Sequence, residues 1–446
     1  MPSSKSRFGL TGRARDELIQ RFLRRKPGAD ERAEDTAHAR SRAGTSDVPD
    51  AFCRFDRLPG YEKLLVPQAA ARRLGMDNPF FRLHEGAAGA TTHIDGRHYV
   101  NFSSYNYLGL SGHPKVNRAA RDAIERYGTS VSASRLVAGE RPVQRELEEA
   151  LADFYGVQDC LSFVSGHATN VTTIGYLFGP KDLVIHDALV HNSVLEGIKL
   201  SGAARRSFPH NDPCALDSIL GEIRGQFERV LVVIEGLYSM DGDVPDLPRF
   251  VDVKRRHKAF LMVDEAHALG VLGEKGGGVR EVHGLPGTAV DIWMGTLSKT
   301  LAGCGGFIAG ERALVEHLKY AAPGFVYSVG LSPPLAAASL EALRILQAEP
   351  ERVARLRERS GQFLALARER GIDTGLAQGH AIIPVMVGNS LKAARMSNAL
   401  FEHGINVQPI LYPAVEEKAA RLRFFVSCLH SEAQVRVAVE ALCAAS

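Results

Sequence analysis

Short apolar runs alternate with helical stretches through the middle of this chain of 446 residues. The runs, rich in β-branched side chains, predict strands at 160–164, 183–186, 230–235, 260–263, 292–295 and 306–309. The stretches between them predict helices at 170–178, 191–200, 213–227 and 245–257. Strands that are apolar throughout and separated by helices are typical of a parallel sheet covered on both faces. The sequence therefore predicts an α/β domain on a mainly parallel sheet.

The pattern changes after residue 332. Long helices are predicted at 334–347, 350–370 and 391–403, with strands at 382–387, 406–409 and 422–427. This mixture predicts a smaller α+β domain. We therefore expect four parts along the chain: an extension at 1–50, an N-terminal arm at 51–110, a large domain at 111–331 and a small C-terminal domain at 332–446.

The net charge of +3 lies entirely in the first fifty residues. They contain 11 Lys and Arg against 8 Asp and Glu, while the other 396 residues contain equal numbers of each sign. A neutral body provides no electrostatic basis for binding nucleic acid. Residues 13–26 predict a short basic amphipathic helix, followed by a linker at 28–50. Residues 1–26 are therefore a candidate docking element for an anionic membrane or an acidic carrier protein.

The composition is that of a globular protein, with 45% hydrophobic and 24% charged residues. No apolar run is long enough to cross a bilayer, and no secretory signal is evident. The six cysteines lie far apart without a CxxC pair, so we expect neither a zinc site nor a disulfide framework. These features predict a cytoplasmic protein, with peripheral membrane contact as an alternative.

Chemically reactive side chains follow two of the predicted strands. The strand at 260–263 runs into Asp264 and His267, and the strand at 292–295 is followed by Lys299 among small residues. Ligands of parallel sheets bind beyond the carboxyl ends of the strands, so these residues are expected to lie together. A partly desolvated lysine is a nucleophile for an aldehyde, and an aspartate can keep a ring nitrogen protonated.

That set of groups suits pyridoxal phosphate (PLP), although the residues alone leave other interpretations open. The letters DEAH at 264–267 also occur in nucleotide-driven helicases, and GTLSK at 295–299 could be a loop with a surface lysine. The phosphate loop GxxxxGK[ST] is absent, which argues against the helicase interpretation.

Five motifs in order resemble the α-oxoamine synthase family of PLP-dependent acyltransferases, which includes serine palmitoyltransferase and 8-amino-7-oxononanoate synthase. The motifs are SYNYLGL at 104–110, FVSGHATN at 163–170, EGLYSMDGD at 235–243, VDEAH at 263–267 and GTLSK at 295–299. The resemblance covers about residues 75–445 and extends to the synthase domains associated with polyketide synthases. It implies the fold-type I, aspartate aminotransferase-like architecture and a homodimer with shared active sites.

The resemblance also implies roles around the cofactor ring. Lys299 would bind the cofactor covalently and later move the Cα proton. Asp264 would bind the ring nitrogen, and His267 the ring 3-oxygen. His191 would stack on the ring, and Ser239 would hydrogen-bond near the ring oxygen and the substrate carboxylate.

Phosphate contacts are implied for two segments. The backbone N–H groups of Gly166 and His167 open a helix after a strand, which suits an anion. The His167 side chain departs from the family pattern, and its role is either incidental or a second stacking or acid role. The hydroxyls of Thr296 and Ser298 would complete the site.

Further contacts are implied with the other subunit and the amino acid. Where the family has a Tyr-Ser-Thr segment that reaches the partner's phosphate, this chain has Val329 after Ser328, so one hydroxyl is missing. Arg423 would bind the amino-acid carboxylate bidentately, with Arg421 as the alternative. Asn106 would help to position the same carboxylate.

The reaction implied is a decarboxylative Claisen-type condensation of a small amino acid with an acyl thioester, giving an α-aminoketone and CO2. Serine is favoured, with glycine or alanine as alternatives, and the acyl donor is either acyl-CoA or an acyl carrier protein. Alternatives are an aminotransferase or lyase of the same fold, an 8-amino-7-oxononanoate synthase-type activity, and an inactive binding homologue. The intact Lys299 and Asp264 argue against the last of these.

Overall fold

The computed structural model describes residues 48–73 and 75–445 of the chain. The basic helix predicted at 13–26 lies outside the described residues. The described residues divide into two units, with the boundary between Asp77 and Asn78. In the first unit, two short 3₁₀ helices, Asp50–Cys53 and Phe55–Arg57, precede the α-helix Pro59–Arg73. No helix in the described ranges is long and apolar enough to span a membrane.

The second unit begins with an antiparallel hairpin of β1 (Thr91–Ile94) and β2 (Arg97–Asn101). Its two-residue turn consists of Asp95 and Gly96, which both have positive φ, 50° and 72°. Tight hairpin turns that match the twist of their strands need positive φ at both positions, and Asp-Gly supplies it at low cost. The predicted arm at 51–110 thus includes a local sheet element.

Seven strands form the main sheet of this unit. They are β3 (Asp159–Phe163), β4 (Leu183–Asp187), β5 (Ala204–Phe208), β6 (Val230–Glu235), β7 (Phe260–Asp264), β8 (Ile292–Thr296) and β9 (Gly306–Gly310). Their order is β3-β9-β8-β7-β6-β4-β5, and only β9 runs antiparallel to its neighbours. All six strands predicted from the apolar runs are present, so the mainly parallel α/β sheet is confirmed.

The seventh strand, β5, was not predicted. It lies at the edge of the sheet and pairs with β4 alone. Its central side chains, including Arg205 and Arg206, are exposed. A strand with polar side chains and a charged edge lacks the continuous apolar pattern that marks its buried neighbours, and charge on an edge also discourages pairing with other chains.

Helices cover the main sheet and form most of the remaining structure. Their bounds are Pro114–Tyr127, Pro142–Tyr155, Gly166–Leu177, Asn192–Ser201, Pro213–Ile223, Leu247–Arg256, Val279–Val282, Arg312–Ala321, Pro323–Val326, Pro333–Ala348, Glu351–Glu369, Ser390–Glu402 and Glu432–Ala445. Shorter turns are the five-residue π turn Arg135–Gly139 and the 3₁₀ helices Arg224–Gln226, Gly287–Ala289 and Glu417–Ala419. Strands β4, β6 and β8 are buried along their full length, as expected for a sheet covered on both faces.

The C-terminal part has four short strands, β10 (Ile382–Met386), β11 (Ile405–Asn406), β12 (Gln408–Ile410) and β13 (Arg421–Phe425). Antiparallel β10, β13 and β12 form one sheet, whereas β11 pairs in parallel with β2 of the hairpin. The single strand predicted at 406–409 is therefore two strands that belong to different sheets. The buried Val407 separates them.

Polar residues collect at the carboxyl edge of the main sheet. Asp187, Glu235 and Asp264 are the last residues of β4, β6 and β7, and Lys299 follows β8 by three residues. The parallel arrangement of these strands brings the four side chains to one edge. That edge contains the candidate active site.

Candidate active site

A cavity of about 90 Å³ lies at this edge. It is lined by Gly166, His167, Asn170, His191, Ser193, Glu235, Ser239, Asp264, Ala266, His267, Met294, Thr296 and Lys299. Eight of these residues were predicted from the sequence as cofactor-binding or catalytic: Gly166, His167, His191, Ser239, Asp264, His267, Thr296 and Lys299. Residues separated by more than 130 positions in sequence are therefore brought together by the strand order.

Lys299 is held in a setting that favours the neutral amine. Burial lowers its pKa to about 8, although the nearby Asp264 and Glu235 act to raise it. Its Nζ lies 5.5 Å from the centre of the Tyr105 ring. A lysine with such a pKa is partly deprotonated near neutral pH and can serve as nucleophile or base.

Asp264 is linked to His191 through two residues that the sequence analysis did not assign. The Asn170 amide Nδ2 donates to Asp264 Oδ2 and to Ser193 Oγ, each at 2.9 Å. Ser193 Oγ lies 2.7 Å from His191 Nδ1, and the Ser193 backbone N–H donates to the same nitrogen. Asn170 lies inside the FVSGHATN motif, whereas Ser193 lies outside the five motifs, and the link depends on a contact that spans 94 residues. The network orients the His191 ring beside the carboxylate.

Glu235 is a second carboxyl group that the sequence analysis left without a role. Its Oε1 accepts a hydrogen bond from the backbone N–H of His191 at 2.7 Å. Burial and the nearby Asp264 raise its pKa, so its protonated form is favoured. A neutral carboxyl next to Asp264 avoids placing two negative charges at one edge of the cavity. Glu235 thereby holds the loop before His191 in place.

His267 is buried, and its Nδ1 lies 2.7 Å from the hydroxyl oxygen of Tyr107. Burial lowers the pKa of His267 well below its usual value, and burial raises the pKa of Tyr107. Both groups are therefore neutral. Among the described residues, His267 Nδ1 is the one hydrogen-bond partner of the Tyr107 hydroxyl, so we assign that hydroxyl as the donor. The proton of His267 then lies on Nε2, which makes that nitrogen a donor.

The part of the cavity lined by Gly166 and Thr296 suits a phosphate. Gly166 begins the helix Gly166–Leu177, whose first backbone N–H groups have no partners within the helix. A Cβ placed on Gly166 would lie 2.9 Å from Thr296 Oγ1, so only glycine leaves this space open. The Thr296 and Ser298 hydroxyls both contact the backbone oxygen of Gly305. The exposed His167 ring lies edge-on to His191, with 6.4 Å between the ring centres.

These residues fit PLP. The buried amine of Lys299 can receive its aldehyde, the carboxylate of Asp264 can pair with its ring nitrogen, and the open helix end at Gly166 can bind its phosphate. The remaining predicted contacts of the ring, from His191, His267 and Ser239, lie around the same cavity.

The two candidate arginines of β13 differ in their partners. Arg421 is buried and contacts Asp241 Oδ1 at 2.6 Å and the backbone oxygen of Met240 at 3.0 Å. Arg423 donates to the backbone oxygen of Ser239 at 3.1 Å, and its Nε is buried without a hydrogen-bond partner among the described residues. Arg423 therefore retains capacity for a ligand, whereas Arg421 is committed to an ion pair.

A second cavity of about 350 Å³ also reaches Lys299. Ser298 and Asn106 line it, together with residues of the 84–111 segment. The Asn106 amide donates to the backbone oxygens of Ala88 and Ser111 and so holds its own loop. Its contact with a substrate carboxylate remains a prediction.

Ser328 does not line either cavity at Lys299. Its hydroxyl donates to the backbone oxygen of Val329 at 3.2 Å, and it lines a separate small cavity beside Arg135. Because the resemblance assigns Ser328 to the active site of the other subunit, its role also remains a prediction.

Comparison with known proteins agrees with this geometry. Residues 97–442 match the family model described as aminotransferase class I and II. A putative 8-amino-7-oxononanoate synthase from Gloeobacter violaceus is 42% identical over 361 residues, which is 81% of this chain and 92% of the relative. A serine palmitoyltransferase variant from S. paucimobilis, with bound PLP and myriocin, has a TM-score of 0.83 at 30% identity. The match covers 87% of this chain and 98% of that one.

An 8-amino-7-oxononanoate synthase from Francisella tularensis is a more distant structural neighbour, with a TM-score of 0.67 at 25% identity. That match covers 78% of this chain and 97% of the neighbour. Sequence, fold and site geometry thus agree: the chain belongs to the aminotransferase class I and II family and, within it, to the α-oxoamine synthases, the PLP-dependent acyltransferases.

Proposed function

We propose that this enzyme condenses a small amino acid, preferably serine, with an acyl thioester, releasing the thiol and CO2 and forming an α-aminoketone. The observation that carries the proposal is that Lys299 lines two cavities. The smaller one suits the cofactor, and the larger one provides additional space beside the reacting amine. An aminotransferase binds its two substrates in turn, whereas a condensation must hold an amino acid and a thioester together.

Bound PLP supplies an aldehyde that links to an amine and a protonated ring that stabilises negative charge on the attached amino-acid carbon. Asp264 would keep the ring nitrogen protonated. Lys299 Nζ would accept the Cα proton, a role that its pKa of about 8 supports. The imidazole of His191, oriented by Ser193, would stack on the cofactor ring and limit how that ring can tilt.

The amino-acid carboxylate is assigned to Arg423. We expect Arg423→Ala to raise the KM for the amino acid about 10- to 100-fold, because a charge-assisted hydrogen bond contributes about 1.5–3 kcal/mol. Arg421→Ala should instead lower the melting temperature, since it leaves Asp241 buried without its partner. Steady-state kinetics and thermal unfolding of both variants test this assignment. A larger KM effect from Arg421→Ala would show that Arg421 binds the carboxylate.

His267 is assigned a second role beside its predicted contact with the ring 3-oxygen, namely to polarise the thioester carbonyl. Its Nε2–H, set by the hydrogen bond with Tyr107, can donate to the oxygen on which negative charge develops. We expect Tyr107→Phe to lower kcat about tenfold, because the ring loses the group that selects its tautomer. Tyr105→Phe is the matched control from the same loop and should have a smaller effect. Equal kcat values for wild type and Tyr107→Phe, measured by thiol release, would contradict the tautomer assignment.

The function itself is tested with purified holoenzyme. L-Serine, glycine and L-alanine are each titrated while the absorbance of the bound cofactor is recorded, and thiol release is then measured with acyl-CoA and with an acyl carrier protein. Thiol release that depends on both the amino acid and the thioester supports the proposal. Turnover with pyruvate or 2-oxoglutarate and no thioester would instead identify an aminotransferase.

An 8-amino-7-oxononanoate synthase-type activity is the second candidate. The 42% identity to the putative synthase from Gloeobacter violaceus favours it, whereas the higher TM-score of the serine palmitoyltransferase favours serine as substrate. The same assay separates them when a thioester of a seven-carbon dicarboxylic acid is included, because 8-amino-7-oxononanoate retains the methyl group of alanine. Its formation from L-alanine and that thioester would select the second candidate.

A homodimer with shared sites is part of the proposal. It is supported by exposed apolar side chains close to Arg135 and Ser328, namely Leu136, Val137, Tyr327 and Val329. Light scattering on the purified enzyme gives the oligomeric state.

The basic residues 1–26 are proposed to contact a carrier protein or an anionic membrane, and deletion of residues 1–50 should then weaken one of these interactions.

A further inference from the structure

His210 lies between two buried aspartates next to the active site. Its Nδ1 is 2.9 Å from Asp187 Oδ1, and its Nε2 is 2.9 Å from Asp243 Oδ2. Carboxylate oxygens accept hydrogen bonds, so both ring nitrogens must donate. Only the doubly protonated ring has two donors. His210 is therefore a charged bridge between the two carboxylates.

Each aspartate belongs to a segment that carries active-site residues. Asp187 ends β4, four residues before His191, and its Oδ1 also accepts from the backbone N–H of Leu189 at 2.8 Å. Asp243 lies in the 236–246 loop, which also contains Ser239. The bridge thus joins the segment before His191 to the loop that contains Ser239.

The surroundings of the bridge favour the charged ring. The side chains of Asp187 and Asp243 are 0% and 5% exposed, so an uncompensated pair of charges would be costly there. Asn211 adds donors to both, from its backbone N–H to Asp187 Oδ2 and from its amide to Asp243 Oδ2. Burial opposes protonation, but the two hydrogen bonds prevail and raise the pKa of His210 to about 10.

We propose that His210 is a positioning residue of this enzyme: its bridge sets the spacing between the segment that ends at His191 and the loop that carries Ser239. His210 lines neither cavity at Lys299 and acts through these two segments. The inference concerns the cofactor site, and it holds whichever amino acid and thioester the enzyme uses.

The test compares three variants. His210→Gln removes the charged bridge, and Asp243→Asn removes one of its two carboxylates. His257→Gln is the matched control, because His257 also pairs with an aspartate, Asp217 at 2.7 Å, but at the end of the helix Leu247–Arg256. The dissociation constant of PLP is measured by titrating cofactor-free enzyme. We expect it to rise about tenfold in the first two variants and to change less than about twofold in the control.

The pH dependence adds a readout that a purely structural role would not change. The titratable groups that face His210 are Asp187, Asp243 and Tyr238. A raised pKa means that the stabilisation is complete below the unfolded value near 6.5 and is lost as the pH rises towards 10. Loss of one carboxylate lowers the pKa of His210 and therefore the pH at which the stabilisation is lost. The ratio of the PLP dissociation constant of Asp243→Asn to that of wild type should therefore increase from pH 6 to pH 9.

The proposal is overturned if His210→Gln and Asp243→Asn lower the melting temperature but bind PLP within about twofold of wild type at every pH. If His210→Gln does not fold, Asp243→Asn decides alone, since it keeps the pair of His210 with Asp187. Failure of the proposed function would appear differently, as absence of thiol release by the wild-type enzyme with unchanged cofactor binding.

Discussion

Lys299→Ala should abolish covalent attachment of the cofactor and lower turnover by at least about 10³-fold, because the variant loses both the amine nucleophile and the base for the Cα proton. The melting temperature of the cofactor-free variant should not fall. Burial lowers the pKa of Lys299 to about 8, which means that the charged amine is unfavourable in the folded protein. Removing it therefore costs little stability.

Attachment is measured by borohydride reduction of the holoenzyme, followed by mass spectrometry of the peptide that contains Lys299. Lys275→Ala, which removes an exposed lysine of the same domain, is the matched control and should retain attachment and turnover. Cofactor attached to another lysine, or turnover of Lys299→Ala near the wild-type rate, would contradict the assignment.

Asp264→Asn should lower turnover by about 10²- to 10³-fold. The neutral amide cannot hold the ring nitrogen protonated, and it presents an N–H donor to the Asn170 amide that now donates to Asp264 Oδ2. The variant should also change the titration of Lys299. Since the Asp264 carboxylate raises the pKa of Lys299, its loss should move that pKa below about 8 in the cofactor-free enzyme.

The pH dependence of the rate of PLP attachment checks this second effect, because only the neutral amine reacts. The rate in wild type should rise through a pH of about 8, and the curve of Asp264→Asn should lie at lower pH. Asp252→Asn, which changes an exposed aspartate on the helix Leu247–Arg256, should leave the curve in place. An unshifted curve for Asp264→Asn would contradict the electrostatic coupling.

Apolar patterning alone located most of the main sheet. The runs that became β4, β6, β7 and β8 are buried on both faces, so their composition is nearly continuous and easy to read. The exposed edge strand β5 and the division of 406–409 into β11 and β12 were missed. Edge exposure and the choice of pairing partner depend on neighbouring strands, which local sequence does not specify.

The candidate site shows the same contrast between features that local sequence predicts and features that it does not. The residue types of Asp264, His267 and Lys299 and their positions after strands were enough to suggest the cofactor, since reactive groups at strand ends converge at one edge of a parallel sheet. The family resemblance then named eight of the residues that line the cavity. These assignments depended on short segments whose chemistry and spacing are visible along the chain.

Only the tertiary structure distinguished Arg423 from Arg421 by their partners. The two arginines are alternate residues of one strand, and the sequence does not show that Arg421 pairs with Asp241. The tertiary structure also revealed contacts that join residues distant in sequence, such as Tyr107 with His267 and His210 with Asp243. The sequence by itself determined the fold class and identified the reactive side chains of the candidate site, since both are local in composition. Tautomers, charge states and spare hydrogen-bonding capacity were decided by packing, because they depend on which distant groups share a buried space.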